Sequence, residues 1–377
     1  VAFEEHAQDG SFVTISVFDP NITENSPAGS CLLQMLRAAE DSYDLRVFTS
    51  RTDLEASERV VIYKIPTPKR PVFLQNMVFT LLASVLYLAR GQKQSLKIST
   101  QGAFPFCEIA YAHNPHKLFL TRYRKHISGG LPTRTARLVN YWWIALMESI
   151  AFKQARVIVV PSRGLANQLA DTYGEGIAAK LRVIPNPVDC KAFAAGMKPA
   201  VPRPFTFAFC ALGNFEWKGL RLVIEALAGD IAADLKVIGG NESEIRGFRK
   251  VAQAAGVADR VTFVGLQRDI RPYLWSSDVF VFPSLHESFG LVCLQAAAAG
   301  LPLITTELYA LDELLQPGIS GWKVERTIES VRQAMRAAIA DRERTEQMGR
   351  NAQVLAQQYD TLRFAERWDG MLRTGLA

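Results

Sequence analysis

Glu287 and Lys218 are the charged residues whose neighbours best suit chemistry. The run Pro283-Ser-Leu-His-Glu-Ser-Phe-Gly-Leu-Val-Cys-Leu-Gln295 starts where an apolar strand, residues 278–282, ends. A short polar loop carries Glu287 and Ser288, and Phe289-Gly290 then opens a helix of small residues reaching about Gly300. Strand, loop and helix N-terminus in that order bind anions. The first helical N–H groups lack intrahelical partners, and the helix dipole favours negative charge there. Gly290 admits a ligand close to the backbone. Glu287 beside it can accept hydrogen bonds from hydroxyls, although a carboxylate at a helix N-terminus is also favourable on the dipole alone. Phosphate-seeking amides next to a hydroxyl-seeking carboxylate suit a nucleotide sugar.

Lys218-Gly219 follows a second apolar strand, residues 205–212, and reads as the opening of another helix. A cation there opposes the dipole by a few tenths to about 1 kcal/mol. A phosphate between them would offset that; a solvated lysine is the plain alternative. His113 lies just past a strand at residues 109–112, with His116 as its competitor. A structural histidine at a strand end fits the same spacing.

These residues need strand ends to hold them, and the chain supplies two α/β series. Strands read at 12–19, 45–49, 60–65, 109–112, 156–160 and 181–184, with helices at 30–39, 72–90 and 136–153. Residues 191–204, rich in Ala and Pro, read as a linker. Strands then recur at 205–212, 235–238, 261–264, 279–282 and 303–305, with helices between them. Alternation of this kind predicts parallel sheets covered by helices, in two similar halves. Ligands bind open parallel sheets at the carboxyl ends of strands, where the residues above fall.

A chain of 377 residues with 49% hydrophobic content has room for two cores and is not disordered. Five widely spaced cysteines, none in a Cys-x-x-Cys pair, support neither a disulfide framework nor a zinc site. Reduced thiols and an acidic, polar start at residues 1–10 point to the cytoplasm. The longest mainly apolar run, about 12 residues near 78–89, is short for a bilayer span. The net charge of +6 is concentrated: residues 59–137 hold thirteen Lys/Arg and one acid, Glu108. That excess suits an anionic membrane surface, an anionic acceptor or nucleic acid, and also a solvated basic face. The absence of aromatic interleaving argues against nucleic acid. Helix 72–90, flanked by basic residues, reads as a buried helix or one lying in a membrane interface.

The run Pro-Ser-x-x-Glu-x-Phe-Gly with its small-residue helix resembles the signature of glycosyltransferase family 4, retaining enzymes of the GT-B fold. Ala155-Arg-Val-Ile-Val-Val-Pro-Ser162, Val183-Ile-Pro-Asn-Pro-Val-Asp189, Leu212-Gly with Lys218-Gly219, Val261-Thr-Phe-Val-Gly265 and Gly300-Leu-Pro look like family blocks in family order. The resemblance implies two Rossmann-like, doubly wound domains facing a central cleft. The expected acceptor-side domain is 1–184, with a helix at 361–377 crossing back to it, and the donor domain is 185–360.

The family likeness also assigns roles. Glu287 and His113 would bind the donor sugar near the reacting carbon. Lys218 would hold the donor diphosphate, and Ser288, Phe289, Gly290 and Leu291 would offer amides to sugar and phosphate. Gln267 would lie in the loop that reads the base. Gly29 looks like the remains of a glycine-rich loop facing the diphosphate. Two positions depart from the pattern. Gln295 stands where a second Glu would bind ribose, and Gly213-Asn214 stands where Gly-Arg is usual, unless Arg163 or Arg268 substitutes. The implied reaction transfers a sugar from a nucleotide donor to a glycan or lipid-linked acceptor with retention. It needs no cofactor and no metal, and suits surface-polysaccharide or lipopolysaccharide synthesis on the inner face of a membrane. A non-catalytic GT-B subunit that binds nucleotide or glycan is the alternative.

Overall fold

The computed structural model describes residues 13–90, 95–122, 124, 131–194, 196, 203–308 and 314–375. Residues 1–10, half of the linker at 191–204, and Lys93 and Lys125 of the basic stretch lie outside them. The chain forms two compact units, Val1–Asn186 with Leu362–Ala377, and Pro187–Thr361.

The first unit runs β1 (Thr14–Phe18), β2 (Asn21–Ile22), α1 (Pro27–Ala39), β3 (Asp44–Thr49), β4 (Arg51–Thr52), β5 (Val60–Lys64), α2 (Val72–Ala89), β6 (Leu96–Thr100), β7 (Ile109–Tyr111), α3 (His116–Arg122), α4 (Leu131–Gln154), β8 (Val157–Val160), α5 (Arg163–Tyr173), α6 (Glu175–Ala178) and β9 (Leu181–Val183). Seven strands form one sheet in the order β5-β3-β1-β6-β7-β8-β9, and every pairing is parallel. Val17 of β1 sits opposite Val47 of β3 and Ile98 of β6. The chain winds outward from β1 to β5, returns to β6 beside β1, then winds the other way. That reversal opens a crevice at the carboxyl ends of β1 and β6.

Both faces of this sheet are covered, and its inner strand β1 is buried on both sides. One face packs with α1, whose N-terminus is fixed by Ser26 and by Pro27 at its first position. The other carries an aromatic stack, with Phe18 between Phe48 (4.7 Å between ring centroids) and Phe104 (4.1 Å). Residues from α2, α4 and α5 close over it.

The second unit runs α7 (Cys190–Ala194), β10 (Phe205–Ala211), α8 (Phe215–Lys218), α9 (Leu220–Leu227), β11 (Ala233–Gly239), α10 (Glu242–Ala254), β12 (Val261–Gly265), α11 (Arg271–Trp275), β13 (Val279–Phe282), α12 (Leu291–Ala298), β14 (Leu303–Thr305), β15 (Gly321–Lys323), α13 (Ile328–Ala340) and α14 (Arg342–Ala356). Its six parallel strands are ordered β12-β11-β10-β13-β14-β15. The winding reverses between β10 and β13, so this sheet too has a switch point. The final helix, α15 (Thr361–Gly375), adds Phe364, Trp368 and Leu372 to the core of the first unit.

Three readings of the sequence change here. The linker begins with a helical turn, α7. β6, in the middle of the first sheet, was not expected at all. α2 is a single 18-residue helix with mean hydropathy 1.8, long and apolar enough by composition to cross a bilayer. The helix continues through Gln75, Asn76 and Thr80, which interrupt the apolar run. Its Phe79, Ala83 and Tyr87 are nevertheless buried in the first unit's core.

Candidate functional site

The switch point of the second sheet brings Lys218 and Glu287 together. Lys218 arrives from the loop after β10 and Glu287 from the loop after β13, and the Lys218 ammonium pairs directly with Glu287 Oε1. Their side chains are 22% and 13% exposed. Ser284 Oγ donates to the same Glu287 oxygen at 2.8 Å, and Thr306 Oγ1 donates to the Ser284 carbonyl at 2.6 Å. The two loops are stitched together at their backbones: Leu285 N–H donates to the Trp217 carbonyl at 3.0 Å, and Trp217 Nε1–H to the His286 carbonyl at 3.3 Å.

Lys218 is seated differently from the sequence reading. It closes the one-turn helix α8 and does not open α9; Gly219, at φ 85°, separates the two. A lysine at a helix C-terminus is favoured by the dipole, so the position carries no electrostatic penalty of its own. A Cβ on Gly219 would stand 2.4 Å from the Pro283 carbonyl oxygen, which is why the two loops approach this closely only at a glycine.

Gly290 caps α12 from the left-handed region, at φ 79°. The N–H groups of Cys293 and Leu294 turn back to the Gly290 carbonyl. Leu291 and Val292 come before any intrahelical carbonyl can serve them. Phe289 is buried against Tyr359, with rings 6.0 Å apart, so its side chain anchors the loop and only its backbone is available to a ligand. Burial holds the His286 imidazole below its ordinary pKa, so it is neutral beside the pair. Gln295 is half-buried on the second turn of α12. Gln267 is exposed after β12, the edge strand two places from β10, roughly 10 Å along the same carboxyl edge. Arg268 is exposed next to it, and Arg163 is exposed at the start of α5 in the first unit.

Asn214, at φ 57°, presents its N–H to Glu244 Oε1 at 2.7 Å. Phe215 N–H reaches the same oxygen at 3.4 Å. Glu244 also completes the capping box of α10 with Asn241. The loop holding Gly213 and Asn214 is therefore organised around a carboxylate, which no residue motif of the sequence had signalled.

In the first unit, the crevice between β1 and β6 is a pocket of about 120 Å³ lined by Asp19, Asn21, Asn76, Thr100, Gln101 and Trp143, among others. Asp19 accepts from Asn21 N–H at 2.6 Å and from Thr100 Oγ1. Burial pushes its carboxyl above the usual carboxylate range, against both hydrogen bonds. The signal in the sequence was Asp19-Pro20 at the end of an apolar strand, and it was overlooked.

The two histidines separate cleanly. His116 is committed to Glu148, Nδ1 to Oε1 at 2.7 Å, and Tyr173 Oη donates to the other Glu148 oxygen at 3.3 Å. His113 packs against Tyr111 with its ring tilted by 51° and the centroids 4.1 Å apart, and its buried Nε2 has no hydrogen-bond partner. Burial pushes its pKa down to about 3, so it is neutral at physiological pH. Gly29 has a packing reason to be glycine. A Cβ there would lie 2.0 Å from the Asn21 carbonyl oxygen, and its N–H is taken by the Ser26 cap.

Among the described residues no group of three or more His, Cys, Asp or Glu is placed to hold a metal ion.

Comparison with known proteins places this geometry. Residues 28–192 match the family model for glycosyltransferase family 4, and residues 206–341 match that for glycosyl transferases group 1. The lipopolysaccharide core biosynthesis glycosyltransferase LpsE of Rhizobium meliloti is 31% identical over 193 residues, covering 50% of this chain and 56% of LpsE. The matched part thus spans about half the length of that relative. Among solved structures, WaaG, a glycosyltransferase involved in lipopolysaccharide biosynthesis, superimposes with a TM-score of 0.76 at 16% identity, over 96% of this chain and 100% of WaaG. Anabaena HepE, solved with UDP and glucose, gives 0.67 at 16%, over 97% and 100%. At these identities the structural likeness is one of fold. With two parallel, doubly wound sheets and both family models in order, the chain belongs to glycosyltransferase family 4 and has the GT-B fold.

Proposed function

We propose that the chain transfers a sugar, with retention, from a nucleotide-diphosphate sugar to a glycan or lipid-linked acceptor in the synthesis of surface polysaccharide or lipopolysaccharide. The observation that carries this reading is the Lys218–Glu287 pair at the switch point, beside the first amides of α12. A diphosphate entering there exchanges the Glu287 carboxylate for a phosphate as the partner of Lys218. Glu287, held by Ser284, then accepts hydroxyls of the donor sugar. The N-terminal amides of α12 receive the remaining negative charge. Gln267, farther along the same edge, meets the base, and Gln295 accepts from the ribose. As the sugar–phosphate bond breaks, Lys218 and these fixed amides stabilise the departing diphosphate electrostatically, with no metal required. The acceptor attacks from the same face. In the first unit, the Asp19 pocket offers hydrogen-bond acceptors and the Trp143 ring to the acceptor. LpsE is named for lipopolysaccharide core synthesis and HepE was solved with UDP and glucose; both support the choice of reaction class.

A second reading, a subunit that binds nucleotide without turnover, is favoured by one observation. The amides of Asn214 and Phe215 face the Glu244 carboxylate, which repels a phosphate at that loop.

A thermal-shift screen against UDP, GDP, ADP and their common sugars tests the proposal, because a ligand that binds only the folded state raises its melting temperature. Stabilisation by one nucleotide class together with slow release of its diphosphate is expected. Stabilisation without any release would favour the binding subunit, and no stabilisation by any nucleotide would overturn both readings.

A further inference from the structure

The solvent face of α2 and α4 is built differently from a soluble helix layer. α2 is mostly apolar, yet only one side of it is covered. Phe79, Ala83 and Tyr87 face the core, while Leu74, Leu81, Leu82, Val85 and Leu88 fall at helical spacing on the opposite side. Leu88 is 75% exposed and Val85 64%. α4 packs beside α2, and Asn76 Nδ2 donates to Asn140 Oδ1 across the pair at 2.8 Å. Opposite its own buried residues, α4 exposes Val139, Trp142 and Leu146. Two neighbouring helices thus present one apolar surface with a tryptophan in it. Patches of this kind mark an interaction site.

The rim identifies the occupant. Lys69 and Arg70 precede α2, Arg90 ends it, and Arg134 and Arg137 lie on the first turns of α4, all exposed. A second copy of the chain docking here would set the same positive rim against itself, which is unfavourable. An anionic bilayer satisfies both parts, taking the apolar side chains below the headgroups and the cations among them. Spanning is excluded by the fold, since the other face of α2 belongs to the core.

We infer that the α2–α4 face docks the chain on an anionic lipid bilayer, with α2 lying along the surface for its length of about 27 Å. The inference extends the proposal of a lipid-linked acceptor, because the same two helices line the Asp19 pocket.

Co-sedimentation with phosphatidylcholine vesicles, with and without phosphatidylglycerol, tests it without any sugar donor. The chain is expected to sediment only with the anionic vesicles, and less so at high salt. Trp142 emission is expected to move to the blue, a change absent in Trp142→Phe. Leu81→Glu/Val85→Glu should lower partition by about tenfold or more, with an unchanged melting temperature because both sites are exposed. Should that variant fold poorly, Lys69→Gln/Arg70→Gln, which leaves the apolar face intact, should still weaken the preference for anionic vesicles. Equal sedimentation of the variants, indifference to phosphatidylglycerol, or a dimer that Leu81→Glu/Val85→Glu converts to monomer would each overturn the inference. Docking that persists in a chain stabilised by no nucleotide would leave this face standing and overturn only the donor reading.

Discussion

Lys218 and Glu287 lie 69 positions apart, and the fold joins them in an ion pair between two half-buried side chains. Each neutralises the other where either alone would be costly to hold. Gln295 is one of the two positions where the chain leaves its family's pattern, and the difference is measurable. A neutral amide accepts a hydroxyl less strongly than a carboxylate does. Gln295→Glu is therefore expected to tighten nucleotide binding, by up to about tenfold. Titration calorimetry giving equal affinities would remove position 295 from the ribose. His113 makes a prediction about pH. Its folded pKa, pushed down to about 3 by burial, lies below the unfolded value near 6.5. Stability from the neutral imidazole is complete above that unfolded value and is lost as pH falls below it, because only the unfolded chain takes up the proton. Between pH 7 and pH 5 the parent should lose about 2 kcal/mol more than His113→Asn in urea unfolding. Identical losses would mean that the imidazole is open to solvent.

At the scale of elements, the sites are made by the ends of strands and the order in which strands lie. Most of that was legible. Apolar runs covered on both faces announced β1, β3, β10 and β13, and Gly290 announced the start of α12. β6 was not, because its sequence Leu-Lys-Ile-Ser-Thr is short, half polar and set among basic residues. Missing it hid the crevice between β1 and β6, and with it Asp19. The meeting of Lys218 and Glu287 was also hidden. Local patterns give each strand but not its neighbour, and β10 lies beside β13 only after two intervening strands have been placed elsewhere. Gly219 is where two elements depend on one atom's absence. Gly219→Ala combines a left-handed backbone with a Cβ 2.4 Å from the Pro283 oxygen, and is expected to destabilise the second unit by about 1–3 kcal/mol or more. An unchanged denaturation midpoint would show that the loops do not need this approach.

On the scale of the whole molecule, the chain returns its last helix to the first unit. Trp368 of α15 is 1% exposed, with its ring 5.1 Å from Tyr111, against which His113 packs. Trp368→Ala should cost about 3–5 kcal/mol of stability in the first unit, read as a lower melting temperature with reduced tryptophan burial. A melting temperature equal to the parent's would mean that α15 is not part of that core. Charge is also organised at this scale, with the basic excess confined to residues 59–137 and most of the nucleotide-site candidates in the second unit. Under the proposed function, this division would give surface and acceptor to one unit and donor to the other. The most direct test of that assignment is release of nucleoside diphosphate from the donor that stabilises the chain, measured for the parent, Glu287→Ala and Lys218→Met. The account predicts slow release by the parent and a loss of about a hundredfold or more in both variants with the fold retained. Release at the parent's rate from folded Glu287→Ala would contradict it.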